Sequence, residues 1–170
     1  MVSMAKSDPY RAAAKAAKAL LDVIGATGDI PKEFWESPFV LGFFFYYLHA
    51  VAVRAGEEPG NYKNMPLAYV LACGEPLGID VLQRTLDFST LRTPDYLTGL
   101  DAGDKYLAVV YGSKTYDNDP AIIEARRMAR QTAMDLKDPN IELVDIENTY
   151  LLETVFLSEV RRRLNLVTIN

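Results

Sequence analysis

The stretch FWESPFVLGFFFYY, residues 34–47, holds eight of the eighteen aromatic residues of this chain, which has 10 Tyr, 7 Phe and 1 Trp. Ser37 and Pro38 predict a helix start within it, because a serine oxygen accepts the free amide hydrogens of a first turn and proline suits that position. We expect this helix to run from Pro38 to about Ala55 and to stop at Gly56. A helix that is apolar on every side has to be enclosed, so it should lie at the centre of the fold.

The same segment raises the question of a membrane span. The residues between Glu36 and Arg54 (37–53) are uncharged, and their number is at the bottom of the roughly 17–25 residues that cross a bilayer. This run also contains serine, proline, glycine, two tyrosines and a histidine. We therefore predict a buried core helix and no membrane association.

Composition indicates a globular protein. The chain has 170 residues, 49% hydrophobic and 24% charged, with a net charge of −5, and these values are ordinary for one domain with a sizeable core. We predict a single domain over 1–170. The lone Cys73 excludes an intrachain disulfide, and residues 1–10 lack the apolar core of a signal peptide, so we expect a cytoplasmic protein.

Pairs of a capping residue and a proline predict further helix starts. They are Asp8-Pro9, Thr93-Pro94, Asp119-Pro120 and Asp138-Pro139, with Asn64-Met65-Pro66 and Asp29-Ile30-Pro31 as looser versions. Apolar residues at helical spacing support helices over about 9–24, 65–73, 80–91 and 120–137. The predicted fold is mainly α, a compact multi-helix domain around the central aromatic helix.

Two short segments leave an alternative open. Lys105–Tyr111 and Ile141–Ile146 are β-branched and lie on either side of the helix that begins at Pro120. They fit parallel strands of a small C-terminal βαβ element at 105–146, and they also fit helical spacing. Periodicity does not distinguish the two for runs this short, so an α-rich α/β fold remains the alternative.

The candidate ligand site centres on His49, the only histidine. Trp35, Tyr46 and Tyr47 would form an aromatic pocket around it, with Arg54 or Lys114 to hold an anion. Lys114 lies in a Gly-Ser-Lys-Thr loop that has the chemistry of a phosphate-binding loop but not the spacing of a Walker A sequence. A catalytic base needs an orienting partner, and His49 has none in sequence, so we favour a structural histidine bonded to a carbonyl or a tyrosine.

We predict neither a metal nor a cofactor. One histidine and one cysteine do not supply a zinc site. The aspartates of 95–119 lack the order of a calcium loop, and we interpret Asp117 and Asp119 as helix caps. The late arginines, Arg126, Arg127, Arg130 and 161–163, suggest a basic patch, but nearby glutamates favour ordinary ion-paired surfaces. Nucleic-acid binding is therefore the least favoured function.

The first functional hypothesis is a non-catalytic interaction protein that self-associates, as a dimer, through apolar helix faces. Eight aromatics within 34–47 exceed what one helix face needs, and Gly42 would let a partner helix approach. The alternative is a small-ligand-binding protein or an enzyme with an aromatic pocket around His49. The common catalytic motifs are absent from the sequence, which favours the non-catalytic interpretation without excluding an enzyme.

Overall fold

The computed structural model describes residues 8–26, 28 and 30–165. Over these ranges the chain is mainly helical, without a strand. The helices are α1 (Pro9–Ala26), α2 (Pro38–Arg54), α3 (Met65–Cys73), α4 (Leu77–Leu91), α5 (Pro94–Val110), α6 (Pro120–Leu136), α7 (Leu143–Leu152) and α8 (Ser158–Arg163). A 3-10 helix, Lys32–Glu36, precedes α2, and a π-helical segment, Glu153–Leu157, joins α7 to α8.

Most of the predicted helix starts are confirmed. Helices α1, α2, α5 and α6 begin at the prolines of the four pairs at 8–9, 37–38, 93–94 and 119–120, and α3 covers the predicted 65–73. Asp8 and Asp119 act as side-chain caps, since each accepts the amide hydrogen of the second residue after it, at 2.9 Å. Helix α4 begins at Leu77, three residues before its predicted start. Asp29 lies outside the described residues.

The predicted helix start at Asp138-Pro139 is wrong. The Asp138 carboxylate accepts the Asn140 amide hydrogen at 2.9 Å and the Asn140 side-chain amide at 3.1 Å, both through Oδ1. Such a local bond stabilises a turn in place of a helical cap. The next helix, α7, begins only at Leu143.

The alternative of a βαβ element at 105–146 is also wrong. Residues 105–110 continue α5, and residues 143–146 form the first turn of α7. Buried residues in α5 recur at Ala102, Tyr106 and Leu107, which is a helical and not an alternating pattern. The β-branched residues therefore follow the helical period of the longer segment around them.

Contacts divide the chain into two units at the boundary between Gly103 and Asp104, and α5 contributes residues to both. The first unit contains α1 to α4 and the first part of α5. The second contains the rest of α5, α6 and α7, the π-helical segment and α8. The single-domain prediction stays a prediction.

In the first unit, α1 packs against α2 and α3 through Ala13, Ala14 and Ala17, whose small side chains are almost fully buried. The buried ring of Phe44 in α2 packs against the 3-10 helix. Trp35 lies 5.0 Å from Phe34 and 5.1 Å from Phe44, measured between ring centroids. No helix in the described part of the chain is both long and apolar enough to cross a bilayer.

Glycines bring the backbones of α2 and α5 into contact. A Cβ atom on Gly42 would lie 2.2 Å from the carbonyl oxygen of Tyr96, and one on Gly99 would lie 2.1 Å from that of Phe39. Any larger residue would force the helices apart. Gly42 was expected to receive a partner helix, and within the first unit the helix that packs against it is α5 of the same chain.

In the second unit, α6 packs against α7 and the π-helical segment through Ile122, Ala125 and Ala129, all fully buried. The wider turn of the π-helical segment interrupts the regular pattern of α-helical backbone hydrogen bonds at 153–157. There the Thr154 hydroxyl donates to the Ala121 carbonyl of α6 at 3.0 Å, so the irregular turn is tied to the neighbouring helix.

Candidate functional site

A half-open groove of about 400 Å³ lies along one side of α2, and we call it the His49 groove. Tyr46, Ala50 and Val53 share a face of α2 at i, i+4 and i+7. The loop between α2 and α3 and a leucine of α5 complete the groove. Its described lining residues carry no formal charge when His49 is neutral, and they are Phe45, Tyr46, His49, Ala50, Val53, Pro59, Tyr62 and Leu100.

Tyr62 connects the loop to α2 through ring contacts. Its ring centroid lies 4.4 Å from that of His49 and 5.3 Å from that of Phe45. Phe45 and His49 are one helical turn apart, so a single tyrosine ring contacts both. The residue is still 46% exposed, which leaves much of its surface open for a bound molecule.

Hydrogen bonds fix the orientation and tautomer of His49. The Gly60 backbone N–H donates to Nε2 at 3.0 Å, so Nε2 is the unprotonated nitrogen of the neutral ring. The proton is then on Nδ1, which donates to the Tyr10 hydroxyl oxygen at 2.8 Å. Tyr10 in turn donates its own proton to the Asn61 carbonyl at 2.8 Å. The chain of bonds runs in one direction and leaves neither ring nitrogen free.

Burial lowers the pKa of His49 below its usual 6.5, with Glu57 acting in the opposite direction. Burial also raises the pKa of Tyr10 to about 12, and Glu57, Tyr62 and Asp8 add to that shift. Both groups are therefore neutral near pH 7. Both ring nitrogens are engaged in hydrogen bonds, whereas a catalytic base needs a nitrogen within reach of the substrate proton.

The same network anchors the loop between α2 and α3 to the start of α1. His49 and Tyr10 bond Gly60 and Asn61, and the Asn64 side-chain amide donates to Asp8 at 3.1 Å. These bonds hold the loop that carries Pro59 and Tyr62. The histidine therefore shapes one wall of the groove.

The structure brings together two of the six predicted site residues. Tyr46 and His49 line the groove. Tyr47 is in the core, 8% exposed and stacked on Phe43 at 6.2 Å. Trp35 lines a different cleft. Arg54 ends α2 outside the lining residues, and Lys114 is an exposed residue of the second unit.

The sequence interpretation missed six residues of the groove, namely Phe45, Ala50, Val53, Pro59, Tyr62 and Leu100. Helical spacing from Tyr46 points to Ala50 and Val53, and this signal was available. Tyr62 and Leu100 come from a loop and from another helix, and no local pattern relates them to α2.

Comparisons with protein-family models, with curated proteins and with solved structures found no match. The function is therefore inferred from this chain's own residues.

The Gly-Ser-Lys-Thr loop at 112–115 does not have the context of a phosphate-binding loop. It follows helix α5 and not a strand, and α6 begins only at Pro120. The Ser113 and Thr115 hydroxyls bond each other at 2.9 Å. Both hydroxyls are thus engaged in a local turn.

Carboxylates near this loop serve as caps and ion-pair partners. Asp119 caps α6 and pairs with Lys105 at 2.7 Å, and Tyr116 donates a hydrogen bond to Asp104. Among the described residues, no three His, Cys, Asp or Glu side chains are grouped as a metal site would require.

Most of the late arginines bond carboxylates within the second unit. Arg126 bonds Asp117 at 2.8 Å and Glu147 at 3.1 Å. Four others are also paired: Arg127 with Glu124, Arg161 with Glu153, and Arg162 and Arg163 with Glu159. These pairs neutralise much of the charge that phosphate binding would use.

Proposed function

We propose that this protein binds a small, uncharged aromatic or apolar molecule in the His49 groove. The observation that carries the proposal is a half-open groove of about 400 Å³ whose described lining is apolar and aromatic and without formal charge. Binding sites for small molecules usually have volumes of roughly 300–1,000 Å³ and mostly apolar linings with a few polar groups.

The lining favours an uncharged ligand for a physical reason. A buried charge without a partner is strongly disfavoured, and neither Arg54 nor Lys114 lines the groove. Aromatic rings from Phe45, Tyr46 and Tyr62 favour a planar molecule, because offset and edge contacts between rings add to the gain from burial.

His49 has a positioning role in this proposal. Its two ring nitrogens bond Tyr10 and Gly60, and its ring contacts that of Tyr62 at 4.4 Å between centroids. The wall of the groove is thus held in place before a ligand arrives, which reduces the entropy lost on binding. This supports a binding protein over an enzyme that uses His49 as a base.

Titration with N-phenyl-1-naphthylamine tests the proposal, because this neutral aromatic dye becomes fluorescent in apolar surroundings. We expect saturable binding at one site. Ala50→Leu should weaken it about tenfold, equivalent to about 1.4 kcal/mol, because the larger side chain fills the groove. Ala55→Leu, just past the end of α2 and outside the lining, is the matched control. Equal affinities for the two variants would refute the proposed site.

Self-association is the second candidate function, and a different surface now favours it. The aromatic rings of α2 are mostly buried by the chain itself. Apolar side chains around the turn from α6 to α7 are instead exposed, namely Met134, Leu136, Ile141, Leu143 and Val144. Exposed apolar residues concentrated in this way are typical of contact surfaces, and a dimer through these residues would cover them.

Light scattering with size-exclusion chromatography tests this second candidate. A dimer has twice the mass of one chain, which is 19.0 kDa. Leu136→Glu and Val144→Glu should convert it to a monomer, while the same change at Ile79, an exposed residue of α4, should not. A wild-type protein that remains monomeric at high micromolar concentration would contradict the hypothesis.

We also propose that the chain is one compact domain around α2 and that it works in the cytoplasm. Helix α5 contributes residues to both units, which favours cooperative folding. The free thiol of Cys73 suits a reducing compartment. A fragment that ends at Gly103 and unfolds cooperatively on its own would contradict the single domain.

A further inference from the structure

A second cleft in the first unit has a different chemistry from the His49 groove, and we call it the Arg84 cleft. It has a volume of about 430 Å³ and lies between the 3-10 helix and α4. Both apolar and charged side chains line it, namely Ile30, Pro31, Lys32, Trp35, Glu36, Leu77 and Arg84. The lining therefore has two cations and one carboxylate in a chain whose net charge is −5.

Arg84 is a half-buried cation without an ion pair among the described residues. Its guanidinium makes one long hydrogen bond, from Nη1 to the Trp35 carbonyl oxygen at 3.5 Å. A guanidinium has five N–H donors in a planar fork, so most of them are left without a protein acceptor. Glu36 lines the same cleft but does not form an ion pair with Arg84.

Removal of a charge from water is costly unless the charge is paired or hydrogen-bonded, because the lost hydration needs a replacement. A ligand carboxylate would supply the missing acceptors through two parallel hydrogen bonds. Lys32 is a second cation at the rim, but its side chain is 84% exposed and its Nζ lies 4.0 Å from the Glu33 carboxylate, so it adds less than Arg84. Leu77 and Ile30 offer apolar surface for the rest of such a ligand, and the exposed 6% of Trp35 borders the same cleft.

We propose that the Arg84 cleft is a second binding site, for a small carboxylate that carries an aromatic or alkyl group. Arg84 holds the carboxylate, and the apolar residues of the cleft hold the remainder. The site is separate from the His49 groove, because the two share no lining residue.

Trp35 provides a direct readout, since it is the only tryptophan in the chain and lines this cleft. Bromine quenches tryptophan fluorescence on contact, so 4-bromophenylacetate is the probe and 4-bromophenylacetamide is its neutral match. We expect saturable quenching by the carboxylate, with an affinity about tenfold above that of the amide, as a charge-assisted bidentate contact provides.

Substitutions assign the effect to Arg84. Arg84→Gln should reduce the affinity for the carboxylate about tenfold and leave the amide unchanged. The affinity of Arg84→Lys for the carboxylate should lie between those of the wild type and Arg84→Gln, because lysine keeps the charge but lacks the planar fork of donors. Lys32→Gln should have less effect, since its charge is exposed to solvent. Ala50→Leu in the His49 groove should leave the affinity for the carboxylate unchanged. Circular dichroism confirms that each variant is folded.

Three results would overturn the proposal. They are equal affinities for the carboxylate and the amide, an unchanged affinity in both Arg84 variants, and quenching that rises linearly without saturation. If Arg84→Gln does not fold, Arg84→Lys and the comparison of the two probes on the wild-type protein still decide the question.

Discussion

Both sides of α2 carry aromatic residues, but the two sides have different surroundings. On one side Phe39, Phe43, Phe44 and Leu48 are at most 1% exposed, and the chain itself covers them. On the other side Phe45, Tyr46, His49 and Ala50 are half-buried and face a groove. An aromatic helix therefore does not need a partner protein to enclose it. Its own chain closes one side, and the other borders the His49 groove.

The difference arises from what packs against each side. Glycines let α5 approach one part of α2 until backbone atoms touch. The loop between α2 and α3 is held to the other part by the hydrogen bonds of His49 and Tyr10. Backbone contact at Gly42 leaves no space between α2 and α5, whereas the loop, held at a few polar points, leaves a groove that Leu100 of α5 also borders.

The largest expected effect separates the two sides directly. Phe43→Ala should lower the free energy of unfolding by about 3–5 kcal/mol, because it opens a cavity in a sealed core. Phe45→Ala should cost about 1 kcal/mol or less, since the residue is partly exposed already. Urea denaturation measures both. Similar losses for the two substitutions would mean that the sides do not differ in packing.

A smaller effect tests the glycine contact. Gly99→Ala should lower the free energy of unfolding by about 1–3 kcal/mol, because its Cβ would meet the Phe39 carbonyl oxygen and the helices would have to separate. Gly25→Ala in α1 is the control. No atom lies within 4 Å of its Cβ position, so alanine should stabilise the helix by up to about 1 kcal/mol. A stabilising Gly99→Ala would rule out the close approach.

The smallest effect concerns pH. The pKa of His49 is lowered in the folded state, mainly by burial, so the unfolded chain takes up a proton first. His49 thus contributes stability that is complete above pH 6.5 and lost as the pH falls through the folded pKa. Thermal unfolding of the wild type should decline from pH 7 to 5.5 more steeply than that of His49→Gln. Parallel curves would show that the ring is not held neutral.

Much of the fold could be predicted from local signals in the sequence. The prolines located the starts of α1, α2, α5 and α6, because their preference for the first turn is local. Asp8 and Asp119 also cap their helices, whereas the expected side-chain caps of Ser37 and Thr93 do not form. The helix start predicted at Asp138-Pro139 was wrong because the interaction of this aspartate is also local. Its carboxylate bonds Asn140 and forms a turn, so it does not cap a helix. The strand alternative failed because 105–111 is too short for its period to be read.

The site was less accessible to prediction. Neighbouring helical residues point about 100° apart, so Tyr46 and Tyr47 face different surroundings. A helix that is apolar all round has no polar side, so its sequence does not indicate which residues face the core and which face the groove. The contacts of Tyr62 and Leu100 with the groove depend on tertiary packing. Only the structure shows that Trp35 belongs to a different cleft from His49.

Proton–proton contacts measured by NMR between bound N-phenyl-1-naphthylamine and the protein's methyl groups test the central claim most directly. The open side of α2 and its neighbours contribute methyl groups from Ala50, Val53 and Leu100, whereas the sealed side contributes those of Val40, Leu41 and Leu48. We predict contacts to the first set alone. Contacts to the second set, or to Leu77 of the Arg84 cleft, would contradict a ligand site on the open side of α2.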